Sequence, residues 1–156
     1  MVDEAAKPLW FTPAVIYKDP KAALAWLETA FGFEPDMVIS NAEGVIEHAQ
    51  MRHGEGTIMV GGEWSSDHRS PASVGRICTQ SIHVHVAADI DGHCARARAA
   101  GAEILSEPTD QFYGDRTYRA RDPEGHIWTF GQPQRVVSRA DAEAATGYKI
   151  VSKSWA

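Results

Sequence analysis

The chain repeats itself, and the repeat limits what it can fold into. Asp19-Pro20 opens an apolar helical pattern that closes at Phe31-Gly32-Phe33, and Asp89-Ile90 opens a second that closes at Ala100-Gly101-Ala102. The openings stand 70 positions apart and the closing glycines 69. In each copy an alternating, strand-like run precedes the helix and several more follow it. An internal period of this kind sets the architecture before any one residue is interpreted. It predicts an α+β fold of two repeated βαβββ modules, forming a cupped mixed β-sheet with the helices on its convex side. A ligand site would then lie between the halves, on the face that the helices leave uncovered.

Length and composition narrow the class. With 156 residues, 44% hydrophobic and 23% charged, the chain is expected to form a single domain with a real core. Its net charge of −6 offers no basic field for nucleic acid or an anionic membrane. No stretch approaches the roughly 20 apolar residues of a membrane span, and Met1 to Pro8 lack a signal-type apolar run. Cys78 and Cys94 have no metal-type spacing and are read as buried thiols, which favours the cytoplasm.

Local patterns place the elements. Strand 1 is expected over 11–17. Helix 1 follows, capped by Asp19 with Pro20 at its first position and stopped by Gly32. Strands 2, 3 and 4 are expected over 36–40, 45–52 and 57–61. The segment 63–75 lacks periodicity and reads as a linker. Strand 5 is expected over 79–86 and helix 2 over 89–100. Strands 6, 7 and 8 are expected near 103–106, 117–121 and 126–131. Module one thus covers about 10–63, the linker 64–77, module two about 78–133 and the tail 134–156. The tail holds a short alanine-rich helix, opened by Ser138 and ended by Gly147.

Strand parity sorts side chains, because alternate residues point to opposite faces. In strand 5, Ile82, Val84 and Val86 form a core row, which sends His83 and His85 to the open face. In strand 3, Ala49 and Met51 look core-facing, which puts Ile46, His48 and Gln50 opposite. In strand 8, Trp128 and Phe130 look core-facing. Next-but-one residues on a strand lie about 6.6 Å apart, so His83 and His85 could converge on one atom. Three readings stay open for these histidines: solvated side chains, the polar lining of an organic-ligand pocket, or a metal site of His48, His83 and His85. The run Gln111-Phe112-Tyr113-Gly114-Asp115-Arg116 suggests a shaped loop. It is either an apolar wall with a cation for a ligand, or a turn held by Asp115 and Arg116. The turn Asp122-Pro123-Glu124-Gly125 reads as structural.

Three motifs carry a resemblance. Asp-Pro-Glu-Gly-His-Ile-Trp at 122–128, Phe-Tyr-Gly-Asp-Arg at 112–116 and Ala-Gly-Ala at 100–102 resemble the vicinal-oxygen-chelate superfamily of glyoxalases, bleomycin-resistance proteins and extradiol dioxygenases. The resemblance covers roughly residues 10–133. It implies paired βαβββ modules, often completed across a homodimer. It also implies a divalent metal held from strands 1, 4, 5 and 8. Counted onto this chain, those positions fall on Thr12, on Val60 or Gly61, on Ser81 or His83, and on Thr129. A catalytic metal normally needs about three protein ligands and an open position, so the usual site is not expected to assemble.

The chain therefore looks like the metal-free branch of that superfamily. The expected function is binding of a small organic molecule, antibiotic sequestration being one version, by a cytoplasmic homodimer without a cofactor. His48, Gln50, His83, His85 and Arg116 would supply hydrogen bonds, with apolar contact from Phe112 and Tyr113. The alternative is an enzyme of lyase, isomerase or dioxygenase type, using a relocated divalent metal or a cleft histidine as general base.

Overall fold

The computed structural model describes residues 9–156; Met1 to Pro8, read above as lacking a signal-type run, lie outside them. The element order is β1 (Ala14–Tyr17), α1 (Pro20–Phe31), β2 (Glu34–Ser40), β3 (Ile46–His53), β4 (Gly56–Gly62), β5 (Ser81–His85), α2 (Ile90–Ala99), β6 (Glu103–Asp110), β7 (Asp115–Arg121), β8 (Ile127–Pro133) and α3 (Arg139–Thr146). The duplication is literal. One sheet runs β1-β4-β3-β2 and the other β5-β8-β7-β6, each with a parallel first pair and antiparallel remainder. The eight strands thus form two four-stranded mixed sheets, one for each repeated βαβββ module.

Each helix starts and stops for local reasons. The Asp19 carboxylate accepts from the Ala22 N–H at 3.0 Å, and Gly32 takes the left-handed conformation that ends α1. The Asp89 side chain accepts from the Gly92 N–H at 3.0 Å at the start of α2. In the tail, Ser138 caps α3 and Gly147 closes it, as the sequence predicts. Two strands run further than their patterns suggest. Strand β2 begins at Glu34 and β6 continues to Asp110, each through a proline and with shifts of register. Both are edge strands, where a missing backbone N–H is tolerated. Strand β1 is shorter than expected, starting only after Pro13.

Helix α1 packs on the first sheet and α2 on the second, and the helices also pack on each other. Their apolar faces, Leu24, Leu27, Ala30 and Phe31 on α1 and Ile90, Cys94 and Ala97 on α2, are buried. Phe31 reaches across to the second module, with ring centroids 4.6 Å from Phe130 and 5.6 Å from Trp128. Arg96 of α2 donates to the C-terminal carbonyls of α1, Thr29 and Glu28, both at 2.7 Å, where a cation also opposes the helix dipole. Trp26 donates its indole N–H to the Ala100 carbonyl at 2.8 Å.

One buried carboxylate ties the modules together. Asp122 Oδ1 accepts from the backbone N–H groups of Glu124, Gly125 and His126 at 3.1, 2.9 and 2.9 Å. Its Oδ2 accepts from the Tyr17 hydroxyl at 2.6 Å and the Trp128 indole at 3.2 Å. All five partners donate, so only a carboxylate satisfies them. Burial, then the Asp122 charge, pushes the Tyr17 phenol well above its ordinary range and keeps it a donor. Asp122→Asn turns one acceptor into a donor facing donors. It is expected to cost about 2–4 kcal/mol, against about 1–2 kcal/mol for Tyr17→Phe, in urea denaturation followed by circular dichroism.

A second contact between modules is sensitive to pH. His93 of α2 bridges the Tyr118 hydroxyl at 2.7 Å through Nδ1 and the Phe31 carbonyl at 2.9 Å through Nε2. That arrangement suits a neutral ring that donates from Nε2 and accepts at Nδ1. Burial lowers the pKa of His93, with His53 and Arg96 adding to the effect. Burial lowers that of His53 as well. The unfolded chain therefore takes up protons first as pH falls past about 6.5. Stability is full above that value and declines below it, by at most about 1.4 kcal/mol per pH unit for each imidazole. Urea midpoints measured from pH 7.5 to 5 are expected to fall, and His93→Gln to flatten part of that slope.

Candidate functional site

The faces away from the helices carry the chemistry, and alternation decides who is on them. In β5, Val84 is buried and its neighbours His83 and His85 are exposed. In β3, Ala49 and Met51 are buried, whereas Ile46, His48 and Gln50 remain partly open. In β8, Trp128 and Phe130 are buried. These placements agree with the parity of the sequence.

The open face of the first sheet is mostly apolar. Gln50 pairs with Met37 and Met59, and Met59 with Ala14. His48 pairs with Ile39. A hollow of about 730 Å³ on this face is lined by Ile16, Ile46, His48, Met59, Trp64 and His68, among others. Trp64 is 70% exposed, yet its ring lies nearly flat on His68 at 3.8 Å. His68 is held in turn by the Ser65 hydroxyl at 2.7 Å from its Nδ1. The linker therefore supplies an aromatic platform that sequence reasoning left without a role. The signal for it was an indole in an otherwise polar segment.

A second hollow, about 800 Å³, lies between the modules. Phe11, Pro13 and the β3–β4 turn at 53–56 border it on one side, and His83 and His85 on the other. The two imidazoles are 5.6 Å apart, centroid to centroid. His83 rests over Gly131, where a Cβ would stand 2.7 Å from its Nε2. Absence of a side chain at 131 is thus what lets the ring lie on the sheet.

The 111–116 segment is built differently from its expectation. Phe112 and Tyr113 pack edge to face at 5.2 Å and are both exposed. Gly114, at φ 107°, approaches the Arg135 carbonyl too closely for any side chain. The tail thereby pins this turn. Gln111 donates to the Thr117 hydroxyl at 2.9 Å. Arg116, expected at the ligand or paired with Asp115, instead binds Asp91 of α2 at 2.9 Å and Asp110 at 3.0 Å. The reason is parity. Arg116 shares a face with buried Tyr118 and Ala120, on the helix side. Arg119, which sequence reasoning passed over, occupies the open face instead.

A divalent metal does not fit the residues at the positions the fold would use. Thr12 and Thr129 are hydroxyls, Gly61 has no side chain, and Val60 is fully buried on the helix side. Among the described residues, no three of His, Cys, Asp and Glu are grouped to hold a metal ion. The triad His48, His83 and His85 is therefore not assembled. His48 belongs to the other sheet and lines the other hollow.

Comparison with known proteins supports the architecture. The chain is 30% identical over 138 residues to the uncharacterized protein Mb0911c of Mycobacterium bovis, covering 86% of this chain and 90% of that one. It is equally similar to the uncharacterized protein Rv0887c of Mycobacterium tuberculosis, with 80% of that protein covered. Among solved structures, TioX from Micromonospora sp. ML1 is 35% identical with a TM-score of 0.66, over 81% of this chain and 99% of TioX. The fosfomycin resistance protein FosX of Listeria monocytogenes shares the fold at 16% identity and a TM-score of 0.60, over 82% of this chain and 95% of FosX. Residues 10–130 match the glyoxalase family model, which describes the Glyoxalase/Bleomycin resistance protein/Dioxygenase superfamily. With a match over most of its length, from before β1 into β8, the chain belongs to the glyoxalase/bleomycin resistance protein/dioxygenase superfamily.

Proposed function

We propose that this protein binds a small, partly aromatic organic molecule against its open sheet faces, and that it works as a homodimer in the cytoplasm. The observation that carries the reading is Trp64, exposed to solvent yet held flat on His68 beside an apolar hollow. A large exposed indole costs solvation, and a planar ligand that covers it recovers that cost. His48 and Gln50 border the same face and supply hydrogen bonds. His83 and His85 do so from the hollow between the modules, which Phe11 and Phe33 also border.

A second copy of the chain is favoured by β2. This edge strand is exposed along its whole length and carries Met37, Val38 and Ile39, with Val45 close by. Such an edge is a liability unless something covers it. The cytoplasm is favoured by unpaired Cys78 and Cys94. No helix among the described residues is long and apolar enough to cross a membrane.

An enzymatic reading finds its best support in His83, whose Nε2 lies over Gly131 without a hydrogen-bond partner among the described residues. A base so placed could take a proton from a bound substrate. No carboxylate is hydrogen-bonded to it among the described residues, so the binding reading is preferred.

Two measurements test the proposal. In a thermal-shift screen of planar aromatic compounds, at least one compound is expected to raise the melting temperature of the wild type. Trp64→Ala should weaken that compound by about 1–2 kcal/mol, or roughly tenfold. If binding survives Trp64→Ala and a His83→Ala/His85→Ala double variant unchanged, the cleft reading falls. Sedimentation equilibrium should give twice the 17.1 kDa chain mass, with Ile39→Lys shifting the protein toward monomer. A wild-type monomer at micromolar concentration refutes the dimer.

A further inference from the structure

The open face of the second sheet differs in chemistry from that of the first. Register lines up His83, Thr129 and Arg119 in one row across β5, β8 and β7. The next row is Ser81, Ile127 and Arg121, and the row on the other side is His85, Gly131 and Thr117. Hydroxyls, imidazoles and guanidinium groups thus share a surface whose counterpart on the first sheet sets Met37, Ile39, Ile46 and Met59 around His48 and Gln50.

The cations on this face are poorly neutralised. Arg119 has no hydrogen bond or ion pair among the described residues. Arg121 sits 3.8 Å from Glu103, and its buried Nε has no hydrogen-bond partner among the described residues. Glu103 is itself shared with Arg76 at 3.9 Å. The other arginines near this module are occupied elsewhere, Arg98 by Glu107 and Arg116 by Asp91 and Asp110. In a chain of net charge −6, leaving a guanidinium unpaired next to a threonine and two histidines concentrates positive potential on one face.

We propose that Arg119, with Thr129 and His83 beside it, binds the oxyanion head of the ligand, a carboxylate or a phosphonate. The inference rests on the cleft reading above and names the class of molecule that the cleft takes. Guanidinium presents a planar fork of donors that matches such oxygens in pairs. The Thr129 hydroxyl and the His83 ring N–H add donors on the same row. Phe11 and Phe33, which border the same hollow as His83, suit the apolar body of the same molecule. The ligand is therefore an amphipathic acid, aromatic at one end and anionic at the other.

Matched probes test this with the intact protein. Titration calorimetry at physiological ionic strength would compare 2-naphthoate, 2-naphthylphosphonate and the uncharged 2-naphthamide. At least one anion is expected to bind about tenfold or more tighter than the amide, as a charge-assisted pair implies. Which anion is preferred separates carboxylate from phosphonate. Arg119→Gln should bring the anion down to the level of the amide and leave the amide within about twofold. Arg52→Gln, an exposed arginine on the other sheet, should leave the preference in place. Equal binding of all three probes, an anion preference that survives Arg119→Gln, or one lost equally in Arg52→Gln overturns the oxyanion site and leaves the cleft reading standing. No binding of any probe overturns the site too, and the Trp64→Ala screen then judges the cleft independently.

Discussion

The arrangement of the two modules depends on the Asp122 carboxylate. It shapes the β7–β8 turn by accepting three successive backbone N–H groups, and then reaches into the other module through Tyr17. Glu124, two residues on, accepts from the backbone of Lys18 and Asp19 at 2.7 and 3.1 Å, and from the Ser70 hydroxyl at 2.6 Å. One tight turn thus grips the entry to α1 and the linker as well as its own strands. Buried polar groups satisfied in this way are costly to disturb, because each partner would be left without water or protein to bond. The hollow between the modules keeps its shape because this anchor, with the Phe31, Trp128 and Phe130 cluster, sets how the sheets meet.

Duplication built two similar scaffolds, and divergence made their open faces unlike. Alternation in a strand lets the buried row and the exposed row change independently. Both modules keep apolar rows toward the helices. On the outward rows the first sets His48 and Gln50 among methionines and isoleucines, and the second carries histidine, threonine and arginine.

Much of this was legible in the sequence. The helix limits follow from Asp19, Gly32, Ser138 and Gly147, whose cap chemistry is local. The outward placement of His48, Gln50, His83 and His85 follows from period two. The same rule applied to β7 would have turned Arg116 inward and Arg119 outward. Reading 111–116 as a loop hid that, because the strand begins at Asp115. Trp64 and His68 were missed for a different reason. Their stacking depends on how an aperiodic linker folds back on the first sheet, and such a segment carries no pattern.

Asp122 marks the boundary between the two kinds of information. Its turn is written in adjacent residues, whereas its bond to Tyr17 spans 105 positions. Sequence alone determined the repeat, the order of strands and helices, and which side chains leave each strand on which side. It could do so because all of these are properties of neighbouring residues and their periods. Only the tertiary structure decided that His48 and His83 border different hollows, and that one arginine is held by α2 while another has no partner among the described residues. Those outcomes depend on contacts between distant segments, where packing and charge pairing act together and no short period records the result.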